Sequence, residues 1–441
     1  MTQPTIVVSS PSLRARGLEV ARGLREAGLL REFVTTLGWS RSALAYRSVR
    51  KLGGRLGKEV ERRCLPAALD SCVHTYGWRE AVRVATQRLT RNELWTDRVW
   101  WWAERGYDRH VARRWAGRVD CIYGFELSSL ETFRAQKRAG GLCVLSQPIA
   151  HFQVLADLLR EERRKFPEAG TDYDAQLESS FAAVNAVKSE ELELADLIVA
   201  QSDYVAETLR MAGVPDRKIV SLPSAAPPVQ APRAEFPRDH VVFLSAGSQS
   251  LRKGTHYLLQ AWRSLKSHTG LKLWMVGNNT LPNALTANLP GDVWHSRAVP
   301  KPRLMELYRT ASVLVLPTLA EGFAYVVLEA MAAGLPIITT PNSGCGTFVR
   351  DGENGWLIPA GDATALAERL QWCADNRNQL QAMGEKSRQL AAAWTWDDFA
   401  MAHNALMLDL MRPTGSERKP LTASPNSTLE ARHDSPQRSA H

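Results

Sequence analysis

The chain has 441 residues, of which 44% are hydrophobic and 23% are charged, and its formal net charge is +9. This length exceeds one ordinary hydrophobic core and predicts two domains and a tail, with the composition of a soluble globular protein. No apolar run approaches the roughly 20 residues of a membrane-spanning helix. Six scattered cysteines form no CxxC pair, which argues against a zinc site or disulfide framework and favours the reducing cytoplasm.

The N-terminal half alternates short apolar runs with amphipathic stretches. Residues 1–10 have no basic region before their apolar stretch, so residues 5–9 predict a first strand rather than a signal peptide. Residues 13–27 predict a helix, and residues 141–146 and 196–200 predict later strands.

Residues 41–118 form a basic segment that is rich in tryptophan. It contains 18 Lys or Arg against 8 Asp or Glu, a local excess of +10 that accounts for the whole imbalance of the chain. Such a stretch suits an anionic membrane surface or an acidic, phosphate-bearing substrate. The alternative is a set of solvated helices whose tryptophans fill a core. No nucleic-acid recognition motif accompanies the charge, so no nucleic-acid partner is expected.

The prolines and the local composition predict where the domains of the chain begin and end. Residues 223–239 carry five prolines and predict an extended linker between an N-terminal domain, residues 1–222, and a C-terminal domain, residues 240–393. Residues 394–411 predict a last helix. Residues 412–441 are rich in Pro, Ser, Thr and Arg and predict a disordered tail.

The C-terminal half alternates predicted strands and helices. The strands are residues 241–246, 271–276, 312–316 and 336–340, and the helices are residues 255–268, 303–309, 325–333 and 363–374. This order predicts a parallel sheet wrapped by helices. The predicted fold class is α/β, with two Rossmann-like doubly wound domains facing a central cleft. Ligands of such sheets bind beyond the carboxyl ends of the strands, so the cleft is the expected site.

Two glutamates flank the predicted start of the helix at residues 325–333. The amides of Gly322, Phe323 and Ala324 lack intrahelical acceptors there and carry partial positive charge, which suits a pyrophosphate. Glu329 is then placed to hold a ribose diol, and Glu321 to face the sugar or its leaving bond. The alternative is that Glu321 caps the helix and Glu329 is a solvated helix residue.

A second constellation follows the strand at residues 241–246. Gly247 opens a turn that carries Arg252 and Lys253 and leads into a helix, and two cations can neutralise a leaving diphosphate. Alone this pattern is weak, because many surface turns carry Arg-Lys. It is not a Walker loop, because Lys253 precedes Gly254 instead of following a glycine.

The second half closely resembles family 4 glycosyltransferases, the large retaining group of nucleotide-sugar enzymes with the GT-B fold. The motifs that carry the resemblance are Glu321 and Glu329 as E-x7-E, Arg252-Lys253-Gly254, Asn342-Ser-Gly344, residues 351–359 and Asp362. The match extends from residue 241 to about residue 393. In the first half, residues 193–202 also resemble the family, and residues 127–148 fit only loosely.

The resemblance implies roles for particular residues. Lys253, with Arg252 nearby, contacts the donor phosphates, Glu321 sits beside the transferred sugar, and Glu329 hydrogen-bonds the ribose. Residues 297–299, ending at Val299, border the base through backbone atoms. The first domain binds the acceptor, and residues 394–411 form a closing helix that packs back on that domain.

Three departures from the family pattern matter. Ser248 stands where many members have an arginine, so either Arg252 substitutes or the phosphate clamp is weaker. Ala324 stands where many members have glycine, which still permits a backbone contact. The glycine-rich loop after the first strand is replaced by residues 9–13, which leaves the acceptor side open.

Two further groups are candidate site residues. His151 follows the strand at residues 141–146 and is placed to position or deprotonate an acceptor hydroxyl, although a lone histidine there is more often structural. Asp172 and Asp174 match a metal-binding Asp-x-Asp, but they follow a polar stretch instead of a strand, which favours a solvated loop. The motif set uses cations and a helix end on the diphosphate, so neither a metal nor a cofactor is expected.

These features predict a glycosyltransferase that moves a hexosyl group from a UDP- or GDP-sugar to a glycan or lipid-linked acceptor. The resemblance implies retention at the anomeric carbon and a role in polysaccharide or glycoconjugate biosynthesis. The alternatives are a GT-B nucleotide-sugar epimerase or phosphorylase, and a non-catalytic protein that binds a nucleotide-sugar. The expected location is the cytoplasm, with peripheral placement at the inner membrane face as one reading of residues 41–118.

Overall fold

A computed structural model of the protein describes residues 4–40, 60–61, 63–90, 92–169, 172–229, 236–237 and 239–412. The tail predicted to be disordered, beyond its first residue, lies outside the described residues. The same holds for much of residues 41–62 in the basic segment and for the middle of the proline-rich linker.

The first half is built on a parallel sheet of seven strands. They are β1 (Ile6–Ser9), β2 (Leu30–Thr35), β3 (Val73–Thr75), β4 (Cys121–Phe125), β5 (Leu142–Gln147), β6 (Leu197–Ala200) and β7 (Ile219–Ser221). Their order is β3-β2-β1-β4-β5-β6-β7. The central strands are buried on both faces, which explains why they read as short continuous apolar runs.

Helices connect the strands of this first sheet. They are α1 (Ala15–Glu26), α2 (Trp78–Leu89), α3 (Glu93–Trp115), α4 (Leu130–Arg138), α5 (Phe152–Lys165), α6 (Asp172–Leu194) and α7 (Asp203–Met211). The predicted loop at Asp172 and Asp174 is wrong, because α6 already begins at Asp172.

The second half is built on a parallel sheet of six strands, in the order β10-β9-β8-β11-β12-β13. The strands are β8 (Val241–Ala246), β9 (Leu271–Val276), β10 (Asp292–Ser296), β11 (Val313–Leu316), β12 (Ile337–Thr339) and β13 (Gly355–Leu357). The helices are α8 (Thr255–Ser264), α9 (Asn283–Thr286), α10 (Lys301–Thr310), α11 (Tyr325–Ala332), α12 (Ala363–Asp375), α13 (Leu380–Ala392) and α14 (Trp396–Leu410). Each sheet is wound with helices, as the alternating pattern predicts.

The last helix, α14, packs against α1 of the first half. A Cβ atom on Gly23 would lie 2.7 Å from the Cβ atom of Ala400, so glycine allows the two helices to approach closely. Asn404 donates to the carbonyl of Gly23 at 2.9 Å. At the start of α14, Thr395 and Asp398 form a capping box. The chain therefore returns from the second sheet to the first.

Arg16 of α1 is buried where the two halves join. Its Nη1 donates to the carbonyl of Leu222 at 2.9 Å and to Ser224 Oγ at 3.2 Å, on the segment that leads out of the first sheet. Its guanidinium also lies over the ring of Phe399 in α14, 5.0 Å from the ring centroid. The Arg16 side chain thus connects α1 with the segment at Leu222 and Ser224 and with α14.

His403 of α14 is fully buried and makes an acid-sensitive point in this junction. Burial, with a smaller contribution from nearby Arg16, lowers the pKa of His403 to about 3. Neither ring nitrogen has a hydrogen-bond partner among the described residues. An unfolded histidine takes up its proton near pH 6.5, so between these values only the unfolded chain is protonated at this position.

We therefore expect the free energy of unfolding to fall as the pH falls below about 6.5, and His403→Leu to remove part of that fall. At pH 5 the histidine alone destabilises the folded state by about 2 kcal/mol. Urea unfolding of both proteins at pH 7 and pH 5 measures the difference. Equal losses of stability in the two proteins would contradict this assignment.

Candidate functional site

The two halves meet backbone to backbone at Gly322, in the loop between β11 and α11. Ser202, just after β6, donates from Oγ to the carbonyl of Gly322 at 2.7 Å. A Cβ atom on Gly322 would lie 1.6 Å from the carbonyl oxygen of Pro148, which follows β5. The carboxyl ends of the two sheets therefore face each other, and only glycine fits at the point of contact.

The N-terminal end of α11 offers two amides at this junction. Among the described residues, the amides of Gly322 and Phe323 have no hydrogen-bond acceptor. The Ala324 amide donates to the carbonyl of Ser343 at 2.9 Å, so the prediction of a free amide at Ala324 is wrong. The loop before Gly344, which has a left-handed φ of 73°, folds back and supplies that acceptor. Two amides without an acceptor at the start of a helix have the chemistry that suits an anion.

Glu321 is engaged by both predicted cations. Its Oε1 lies 2.6 Å from Lys253 Nζ, and Arg252 Nη1 pairs with the same oxygen. Arg252 also donates to the carbonyl of Ala320 at 2.8 Å. The carboxylate and Lys253 are largely buried, so their attraction is stronger than that of a surface pair. Burial lowers the pKa of Lys253, and the neighbouring Glu321 opposes that shift. Glu321 is thus an ion-pair partner and makes no capping bond to the helix.

The turn after β8 is held against the loop that carries Glu321. The carbonyl of Arg252 accepts from the Leu319 amide at 2.9 Å and from Thr318 Oγ1 at 3.1 Å. Gly254 has a φ of 67°, and a Cβ atom there would lie 1.8 Å from the carbonyl oxygen of Pro317. A glycine is therefore required directly after Arg252 and Lys253, because it lets the two loops touch.

Gly247 opens this turn on the same side of the sheet. It has a φ of 124°, and the side chain of Lys253 passes 3.9 Å from the position a Cβ atom would take. Ser248, which stands where the resembling family often has arginine, is exposed. The structure thus brings Gly247, Arg252, Lys253 and Glu321 together.

Glu329 lies further along α11 and is neither solvated nor free. Its carboxylate pairs with Lys301 at the start of α10 and accepts from the hydroxyl of Tyr308 at 3.2 Å. Burial, together with the Glu329 charge, raises the pKa of Tyr308 well above its usual range, so the hydroxyl stays a donor. Val299 lies two residues before Lys301 and is partly buried against the core. Glu329 and Val299 therefore both lie near the start of α10.

His151 is the N-cap residue of α5. Its Nδ1 accepts from the Gln153 amide at 3.3 Å, and its own amide donates to Thr208 Oγ1 at 3.0 Å. Burial lowers the pKa of His151, and nearby Lys188 adds to the effect, so the neutral ring is favoured. Because Nδ1 is the acceptor, the proton of the neutral ring lies on Nε2. The side chain is thus positioned as a hydrogen-bond donor, and its lone pair is already used.

Comparison with known protein families and solved structures identifies the fold of this chain. Residues 229–390 match the family model described as glycosyl transferases group 1. Among solved structures, the chain is similar to sucrose-phosphate synthase from Thermosynechococcus elongatus, with a TM-score of 0.59 and 17% identity over 92% of this chain and 99% of the other. It is also similar to HepE from Anabaena in complex with UDP and glucose, with a TM-score of 0.57 and 13% identity over 91% and 99%. The protein has the GT-B fold.

Curated sequences match over a smaller part of their length. The chain is 38% identical to a D-inositol 3-phosphate glycosyltransferase of Streptomyces coelicolor over 98 residues, which is 22% of this chain and 21% of that protein. It is 29% identical to the putative colanic acid biosynthesis glycosyltransferase WcaL of Escherichia coli over 40% of this chain and 47% of that protein. The aligned part thus spans from about a fifth to under half of these relatives.

The GT-B cleft also contains polar residues that sequence reasoning missed on the side of the first sheet. Glu126, directly after β4, accepts from Gln147 Nε2 at 3.0 Å and lies 3.4 Å from Lys188 Nζ. The next residue, Leu127, has a φ of 72°, and its amide donates to Glu191 at 2.7 Å. This strained loop position lies at the carboxyl end of a strand, where functional residues of parallel sheets cluster. Recognising β4 in the sequence would have indicated Glu126.

A buried pair also joins the halves of the GT-B fold beside the cleft. His256 Nε2 of α8 lies 2.9 Å from Glu162 Oε1 of α5, and both side chains are nearly inaccessible. Phe166 packs edge-on against the ring of His256 with centroids 4.6 Å apart. Although burial alone raises the pKa of Glu162, hydrogen bonds from His256 and Tyr257 lower it further than burial raises it. The first-half helix α5 is therefore held to the second half at its far end.

The capping geometry of His151 predicts different costs for two substitutions. His151→Ala removes the acceptor for the Gln153 amide, whereas His151→Asn keeps a good N-cap acceptor. We expect the alanine variant to be less stable than the asparagine variant by about 1 kcal/mol in urea unfolding. Because both lose the ring, the difference between them isolates the cap. Equal stability of the two variants would show that the cap contributes nothing.

Proposed function

We propose that the protein is a retaining, family 4 type glycosyltransferase. It transfers a hexosyl group from a UDP- or GDP-sugar to a glycan or lipid-linked acceptor, in polysaccharide or glycoconjugate biosynthesis. The observation that carries the proposal is the cluster of Arg252, Lys253 and Glu321 beside the two free amides of Gly322 and Phe323, at the mouth of the cleft. The match of residues 229–390 to the glycosyl transferases group 1 model supports the same chemistry.

The donor diphosphate binds at the two cations in this proposal. Arg252 and Lys253 offer charge and hydrogen-bond donors, and the amides of Gly322 and Phe323 supply the positive end of α11. Gly247 keeps the turn open beside Lys253. Negative charge grows on the diphosphate as the bond to the sugar breaks, so these fixed groups stabilise the transition state more than the ground state.

In this proposal, Glu321 exchanges its ion-pair partners for hydroxyls of the sugar when the donor binds. Its carboxylate is paired with Arg252 and Lys253 in the free protein, and the diphosphate competes for the same cations. The released carboxylate then accepts hydrogen bonds from the hydroxyls of the hexose that lies next to the diphosphate. Glu321 therefore orients the sugar relative to its leaving group.

Glu329 and Val299 belong to the nucleoside end of the donor. The ribose hydroxyls take the place of Lys301 on the Glu329 carboxylate, while the hydroxyl of Tyr308 keeps that carboxylate in position. The backbone near Val299 borders the base. The Ala324 amide, which is already bonded to Ser343, acts through the shape of the loop and not as a phosphate ligand.

The acceptor binds on the first half of the chain, within residues 1–222. His151 donates from Nε2 to a sugar or acceptor oxygen in this proposal and does not act as a base, since its Nδ1 lone pair is used by Gln153. Glu126 and Lys188 line the same side of the cleft. We place the reaction in the cytoplasm, at the inner membrane face when the acceptor is lipid-linked.

A thermal-shift panel of UDP-, GDP- and ADP-sugars tests the donor assignment. A ligand that binds only the folded state stabilises it by RT ln(1 + [L]/Kd), which is about 2.7 kcal/mol at a concentration 100 times Kd. We expect one nucleotide class to raise the unfolding temperature, with the free nucleotide diphosphate of that class also active. If none of them shifts the protein, the transferase proposal fails.

Glu321→Gln separates binding from transfer. The amide keeps the shape of the side chain but frees Arg252 and Lys253 from a competing charge, so we expect nucleotide diphosphate to bind at least as tightly as in the wild type. Transfer should fall by about 100-fold or more, because the sugar loses its charged acceptor. Calorimetric binding and product formation are measured on the same samples. Unchanged turnover would remove Glu321 from the catalytic residues.

A further inference from the structure

Helix α2 carries an apolar stripe that faces solvent. Trp78, Val82 and Leu89 lie on one helical face, and their exposed fractions are 53%, 42% and 87%. No residue of α2 is buried. An amphipathic helix normally turns its apolar face to the core, so the large exposed fraction of this stripe indicates a surface beyond the packing of the domain.

Helix α3 continues this surface with tryptophans and arginines. Trp95 and Trp102 are exposed, and Trp102 packs edge-on against Trp78 with ring centroids 5.4 Å apart. Arg98, Arg109 and Arg113 lie on the same side of α3 as the two tryptophans, within about 60° around the helix axis at 100° per residue. In the described part of the chain, these three arginines have no acidic partner.

The start of α3 projects beyond the sheet on the side of the cleft. Trp115 at its end bonds to Glu32 early in β2, whereas Tyr107 bonds to the carbonyl of Val34 and to Ser9 at the carboxyl ends of β2 and β1. Helix α3 therefore runs antiparallel to the strands, and its start lies on the side of their carboxyl ends. Glu93 lies 14 residues before Tyr107, which corresponds to about 20 Å along the helix axis at 1.5 Å per residue.

We propose that this hairpin face, formed by Trp78, Leu89, Trp95, Trp102, Arg98 and Arg109, docks on an anionic lipid bilayer. Tryptophan rings favour the interface between headgroups and acyl chains, and arginines extend to lipid phosphates while their stems cover apolar surface. The charge is complementary to an anionic leaflet. No helix in the described part of the chain is long and apolar enough to span a bilayer.

Docking has a consequence for the cleft. The hairpin face begins near the level of the strand ends, where Tyr107 contacts β1 and β2, and extends past them on the side of the first half that also carries Glu126 and His151. Binding through this face would hold the first half, and with it the rim of the cleft, close to the membrane surface. This consequence rests on the proposed function and favours an acceptor held in the bilayer by a lipid; the docking itself does not depend on transfer.

Vesicle sedimentation of the full chain without donor tests the proposal. The probes are vesicles of phosphatidylcholine alone and vesicles of equal parts phosphatidylcholine and phosphatidylglycerol. We expect binding only to the anionic vesicles, weakened by high salt. Trp95→Ser with Trp102→Ser should weaken binding about tenfold or more, and Arg98→Glu with Arg109→Glu should do the same.

The control variants change exposed residues outside the hairpin face. Met211→Ser removes an exposed apolar side chain, and Arg31→Glu reverses an exposed charge; neither should alter vesicle binding. Circular dichroism checks that the variants fold. The proposal is overturned if the wild-type protein does not bind anionic vesicles. It is also overturned if the tryptophan and arginine variants bind them as well as the wild type does. Self-association that the tryptophan variant abolishes, without vesicle binding, assigns the face to a second copy and also overturns it.

A nucleotide thermal shift on the same samples keeps the two proposals apart. Vesicle binding lost in the tryptophan variant while a nucleotide shift persists supports docking as a separate property of the hairpin face. Vesicle binding by a protein that no nucleotide stabilises also supports docking, and it contradicts the proposed transferase function instead.

Discussion

The absence of a side chain at Gly322 is the constraint on which the rest of the cleft depends. Its carbonyl accepts from Ser202, and its Cα faces the carbonyl of Pro148, so the start of α11 touches the strand ends of the other sheet. Any side chain there would push the halves apart. The same contact places the free amides of Gly322 and Phe323, and the neighbouring Glu321, at the boundary where two substrates would meet.

Much of the fold is predictable because its central strands are buried on both faces. Continuous apolar runs such as β8 and β9 stand out, and the predicted strands agree with them. The strands β2, β3, β4, β7, β10 and β13 were not predicted. Three of these have only three residues, and the edge strand β10 is largely exposed, so apolar runs do not reveal them. The helix predicted at residues 255–268 ends at Ser264, because the chain turns there toward β9.

The grouping of the site was predictable, but its internal pairing was not. Spacing and resemblance placed Arg252, Lys253 and Glu321 near one helix end, and the structure brings them together. Sequence cannot reveal that both cations share one carboxylate oxygen, because that depends on the contact between two loops through Gly254. The cap formed by His151 and the acceptor that Ser343 supplies for the Ala324 amide likewise depend on neighbours distant in sequence.

The shared carboxylate oxygen also bears on which anions the proposed site can retain. An incoming phosphate must break two ion pairs in a largely buried place, and it leaves the Glu321 carboxylate without a partner. Inorganic phosphate and pyrophosphate carry no sugar hydroxyl that could bond to that carboxylate. In the proposed binding mode a nucleotide-sugar does carry one, because its hexose is attached to the same diphosphate. Under that proposal, the ion pairs of the free protein favour an intact donor over small inorganic anions.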